Sequence, residues 1–386
     1  MREIIALYTQ AESRDELGIG QVRDTFSEGL FPGTSVVQTR ARYLLFVPWT
    51  YRAGAVRRSG AALKAWSDDQ ERALILALRD RVGVGSGEGL IGRVAGRRLK
   101  NLPSAIYWSG LLRYGILAHD VAPDQLGLAQ GGQAEDELAD RATSDWHPTL
   151  PAAPTGFPRG VDGLDLTRPE AEWLLERTVA ATEGSLLAHL LMRGERLAAD
   201  SELPWLDPAC ATASGGTRQL LHHGMLFSTA MHGAALAYNL LLAEAYDRAG
   251  HQAQPGTVER YEQAYREWVD DCGSYRGQLE AWDRADFWHH VLLANPRIGG
   301  ATRQFVDAWL DAVVRGTALV ATPPADLRML VSTRERRQKR QQSRLENARL
   351  LRTWSGASGT RRLDYRWGTV RRLVLDVQEG LERAGT

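Results

Sequence analysis

The stretch "GMLFSTAMHGAALAYNLLLA", residues 224–243, constrains this chain more than any other. It carries no formal charge over twenty positions and lies inside a longer run of helical spacing over 215–248. A helix of that length rises about 30 Å, enough to cross a bilayer. His232 and Asn239 interrupt its apolar surface, Gly224 and Gly233 notch it, and no basic cluster follows. A helix that is apolar on every side has to be covered by something. The internal polar residues and missing basic flank make other protein elements the better cover, so the stretch reads as a buried central helix rather than a membrane span. A chain of 386 residues can supply that cover in two or three packed subdomains.

The rest of the chain repeats apolar residues mostly at spacings of three and four, which predicts a mainly α, multi-helical fold. Helices are expected over 3–12, 61–82, 104–117, 167–182, 185–197, 257–269, 275–293, 301–314, 327–352 and 364–381. Ser104, after Pro103, is the expected N-cap of its helix, and Thr167 with Glu170 has capping-box spacing around Pro169. Strand signals are confined to Val36–Val37 and Tyr43–Val47. No repeat of solenoid period is present. Composition divides the chain into a basic helical segment (1–119), an acidic then Pro-rich linker or excursion (120–166), an acidic helical segment (167–326) and a basic helical tail (327–386).

The formal net charge is zero, but it is unevenly spread. Residues 29–119 hold fourteen Lys/Arg against five Asp/Glu, and residues 327–386 hold fifteen against six, so each stretch is +9. Segregation of this kind predicts polyanion contact through particular faces, or else basic regions packed on the acidic middle. The two cysteines, Cys210 and Cys272, are far apart and form no CxxC pair, which fits a reducing cytoplasm and argues against a cysteine zinc site. The N-terminus is charged from its second residue and has no signal-peptide pattern.

Three basic constellations are candidate nucleic-acid contacts. In "TRAR" (39–42), Arg40 and Arg42 either grip phosphate bidentately or pair with Asp15 and Asp24 of the preceding "RDELGIGQVRD". In residues 90–117, Arg93, Arg97, Arg98 and Lys100 precede a turn and a helix bearing Tyr107 and Trp108, a layout like a helix-turn-helix. The tail 332–372 carries thirteen Lys/Arg against three acids. Its Arg336, Arg337, Lys339, Arg340, Arg344, Arg349 and Arg352 are candidate contacts, and on one long helix Arg337, Arg340, Arg344 and Arg352 would fall near one side as a basic stripe. "WSGASGT" (354–360) follows as a possible anion-holding nest, with Arg361 and Arg362 just after it. His222, His223, His232, His289 and His290 lack metal-ligand spacing, though with Glu244, Asp283 or Asp286 they could converge in space. Neither HExxH, GxSxG nor a phosphate-binding lysine loop occurs, so no catalytic residue, metal or cofactor is predicted.

Five stretches carry a resemblance: "RDELGIGQVRDTFSEGLFPGTSVVQTRARYLLFVPW", "LPSAIYWSGLLRYGI", "EGSLLAHLL", "FSTAMHGAALAYNLLLAEAY" and "RLENARLLRTWSGASGTRRLDYRW". Together they resemble a bacterial family known only as a domain of unknown function. Members of that family tend to be encoded beside helicases, nucleases and methyltransferases in phage-defence or mobile-element clusters. The resemblance implies a DNA-related defence role and transfers no catalytic residue. The expected function is thus a cytoplasmic DNA-binding or DNA-processing accessory protein. Two alternatives are a scaffold for a helicase or nuclease, and an unrecognised nuclease-type hydrolase using Asp15 and Asp24.

Overall fold

In a computed structural model, residues 15–86, 89–128, 145–198, 200–251 and 256–383 are described; the helix expected over 3–12 lies outside them. Fifteen α-helices follow one another among these residues, and the only β pairing is one isolated bridge, Leu117 with Trp146. In chain order the helices are α1 (Gly20–Leu30), α2 (Tyr43–Ala55), α3 (Gly60–Ser86), α4 (Pro103–Arg113), α5 (Arg168–Ala181) and α6 (Leu186–Arg193). Next come α7 (Pro208–Ala211), α8 (Gly215–Arg248), α9 (Thr257–Ser274), α10 (Arg276–Glu280) and α11 (Arg284–Ala294). The last four are α12 (Gly300–Val314), α13 (Ala325–Lys339), α14 (Ala348–Leu351) and α15 (Trp367–Glu382). The fold is mainly α.

The chain forms two compact units that interleave in sequence: residues 1–27 with 218–365, and residues 28–217 with 366–386.

In the first unit, α8 carries the uncharged stretch 224–243. In its most apolar window 78% of the residues are buried, so protein rather than lipid covers it. Close approach explains its glycines. A Cβ on Gly233 would come within 2.3 Å of the Trp268 indole, and one on Gly224 within 3.0 Å of the Tyr365 ring. Its buried Ser228 and Asn239 are satisfied, as buried polar groups must be. Ser228 Oγ donates to the Leu363 carbonyl at 2.7 Å. Asn239 holds Ser358 twice, accepting from its N–H and donating to its C=O, both at 2.8 Å. These residues tie the segment 354–365 to the central helix.

The second unit packs α2 against α3 and α4, and α5 against α6 and α15. Here the sequence expectation fails at 43–47, which is helix rather than strand. Eleven of the thirteen α2 residues are buried. A helix buried on all sides and a buried strand both read as a short apolar run, and periodicity cannot separate them. Val36 and Val37 lie in an exposed turn. The capping box at α5 forms as expected, with Thr167 and Glu170 bonded reciprocally. Ser104 is not an N-cap: it lies inside the first turn of α4, where the Glu71 carboxylate of α3 accepts from both its N–H and its Oγ at 2.8 Å. The Pro-rich stretch 148–158 lies mostly at the surface, and Val161, Leu164 and Leu166 after it are buried.

Candidate functional site

Arg40 and Arg42 are buried and paired. The Tyr107 hydroxyl accepts from the Thr39 and Arg40 N–H groups and donates to the Arg40 carbonyl, which fixes the "TRAR" backbone. From there Arg40 Nε reaches Asp376 at 2.9 Å, and its NH2 group reaches Asp165 at 2.7 Å. Arg42 bonds Asp162 at 2.7 Å and Glu170 at 2.9 Å. Glu170 therefore serves twice: one oxygen closes the capping box and the other accepts from Arg42. Burial works against ionisation of Asp162, yet the Arg42 guanidinium holds its carboxyl below the ordinary value. The partners are these four acids and not Asp15 and Asp24. Asp15 instead accepts from the Ile19 N–H at 2.7 Å, and Asp24 pairs with its neighbour Arg23 at the surface. Arg40 and Arg42 serve the fold, and Asp15 and Asp24 have separate local roles.

The expected helix-turn-helix lacks its first helix. Residues 89–95 are mainly turns, and only Gly96–Arg98 forms a short 3-10 helix. Arg97, Arg98 and Lys100 are exposed; Arg93 is half-buried.

The expected long basic helix also breaks. Helix α13 ends at Lys339, and Arg340 takes φ +51, ψ −121, a conformation natural to glycine. The break has a buried cause. Glu335, fully enclosed, accepts from Ser343 Oγ and from the Arg344 N–H at 2.6 Å, which folds the chain back on itself. Arg344 and Lys339 then turn to Glu16, at 2.7 and 3.3 Å, and Arg336 pairs with Glu346 at 3.0 Å. Arg361 and Arg362 pair with Asp364 and Asp271. Arg337, Arg340, Arg349 and Arg352 remain exposed, with no acidic partner among the described residues.

This segment leads directly into a cleft of about 780 Å³ within the first unit. One wall is α9, whose Thr257, Arg260, Tyr261, Ala264, Glu267, Trp268 and Asp271 recur at helical spacing and so share one face. The second wall is α8, with His232, Leu236 and Tyr246. The third is the Ser/Gly loop, which contributes Trp354–Ala357, Thr360 and Arg362. In this loop the Ser358 N–H is taken by Asn239 Oδ1 at 2.8 Å, and the Gly356 carbonyl accepts from Tyr261 Oη at 2.6 Å and from Arg260 at 3.2 Å. His232 Nε2 donates to Thr360 O at 3.1 Å, and burial lowers its pKa, so the ring is neutral. The α9 side of this cleft was missed from sequence, although its spacing of apolar and charged residues was readable.

A second cluster joins His223, Asp286 and His290, whose ligating atoms lie within 4.8 Å of one another. Trp282 Nε1 donates to His223 Nδ1 at 2.8 Å, so the ring hydrogen sits on Nε2 and is donated to Asp286, also at 2.8 Å. A metal at Nε2 would need that lone pair while Trp282 still occupies the other. The trio therefore does not fit a metal as it is oriented. Burial lowers the His223 pKa despite Asp286, which keeps the ring neutral.

No curated protein and no solved structure matches the chain. A family model does match, over residues 1–380, and the chain belongs to that family, DUF6361, a family of unknown function.

Proposed function

We propose that this protein is a DNA-binding accessory protein of an anti-phage system, gripping phosphates through the exposed arginines of its tail. The observation that carries the reading is local. Arg337, Arg340, Arg349 and Arg352 lie within sixteen residues, are exposed, and have no acidic partner among the described residues, whereas Arg336, Arg344, Arg361 and Arg362 each pair with an acid and Arg334 is buried on backbone carbonyls. Cations kept unpaired in this way can neutralise phosphates and release the counterions condensed on the nucleic acid. Arg97, Arg98 and Lys100 supply a further exposed group. The defence setting, with a helicase or nuclease as partner, rests on the family resemblance of the quoted motifs.

The test is fluorescence anisotropy with a labelled single strand and a labelled duplex, titrated between about 50 and 200 mM salt. Wild-type affinity should fall steeply with salt. Replacing the four tail arginines with alanine should reduce the log–log slope by about three to four, close to one per lost phosphate contact. An unchanged slope, or no binding of either strand by the wild-type protein, would refute the reading.

A further inference from the structure

We infer that the cleft between α8, α9 and the Ser/Gly loop binds one nucleotide whose base carries an exocyclic amine. This rests on the DNA-binding reading and names what that site takes. Arg260 and Glu267 are both exposed in the cleft, seven residues apart on α9 and thus on one face. Two helical turns separate them by about 10 Å, the reach from a phosphate across a sugar to the far edge of a base. Arg260 has one N–H on Gly356 O, and its other donors suit phosphate oxygens.

The same cleft is lined by aromatic side chains. The half-buried Tyr246 ring lies 5.6 Å from Trp354, which in turn lies 6.3 Å from Tyr261. Trp354 and Tyr261 are buried, so the half-buried Tyr246 is the ring that offers a base a face for stacking, whichever base it is. Discrimination then falls to Glu267, whose Oε1 accepts from Gln263 Nε2 at 3.0 Å and whose Oε2 is the oxygen offered to the base. A carboxylate only accepts hydrogen bonds, so it pairs with an amino group, as on cytosine N4, and not with the carbonyl that uracil has there. Asp271 does not compete for this role, because Arg362 holds it at 2.9 Å. The unpaired Arg349 and Arg352, immediately before Trp354, would bring a strand to the mouth of the cleft.

The experiment uses the full chain and isothermal titration with deoxycytidine monophosphate, deoxyuridine monophosphate, deoxycytidine and inorganic phosphate. The cytidine nucleotide should bind about tenfold more tightly than its uridine isostere, as one good base contact allows. Glu267→Gln should erase that preference. Arg260→Ala should weaken the nucleotide to the level of the nucleoside. Both side chains are exposed, so the variants should keep the wild-type melting profile. Equal binding of the two nucleotides, preference retained in Glu267→Gln, or no nucleotide binding would each overturn the inference. Strand binding that survives without nucleotide binding sinks the cleft proposal alone. Nucleotide binding without any strand binding sinks the DNA-binding reading instead.

Discussion

Glu71 makes the stability of the second unit depend on pH. Its carboxyl is 1% exposed on α3, and burial pushes its pKa from an ordinary 4.5 to about 8, against the two hydrogen bonds from Ser104. The folded state then holds a proton that the unfolded state releases above pH 4.5. Because the folded pKa is the higher, the contribution is fully present below pH 4.5 and is lost as the pH rises through 8. Over the whole window the loss is about 5 kcal/mol, and between pH 6 and 8.5 it is about 2.5 kcal/mol. Glu71→Gln removes the titration while preserving the contacts: the amide oxygen accepts from the Ser104 N–H and the amide nitrogen donates to Oγ. Urea unfolding followed by tryptophan fluorescence at pH 6, 7 and 8.5 should show the variant gaining about 2.5 kcal/mol on the wild type across that range. Every other titrating group cancels in the difference. Parallel stability curves for the two proteins would refute the reasoning.

Three further outcomes are expected. Asp376→Asn removes the charge that Arg40 and Arg372 share inside the fold, and unpairing such a site should cost about 3–5 kcal/mol in chemical denaturation. Gly233→Ala sets a methyl against the buried Trp268 ring and should cost about 3 kcal/mol, with altered near-ultraviolet dichroism as the second readout. Arg340→Gly relieves a backbone conformation that a side chain tolerates poorly and should stabilise the fold by about 1 kcal/mol. The same change should lower the salt slope of DNA binding by about one, so stability and binding would move in opposite directions.

What the residues alone determined was whatever depends on neighbours in sequence. The helix through the uncharged stretch, the Thr167–Glu170 box and the mainly α class follow from spacings of three and four, which local backbone geometry sets. Position 43–47 shows the limit: a short apolar run says that it is buried but not in which conformation. Only the tertiary structure decided which arginines are exposed. Arg40 meets Asp376 across 336 residues of chain, and Arg344 is turned to Glu16 because a buried Glu335 bends the tail. Charge is legible residue by residue, but whether a cation is spent inside or offered outside depends on what the fold brings beside it, and long-range pairing leaves no periodic mark in sequence.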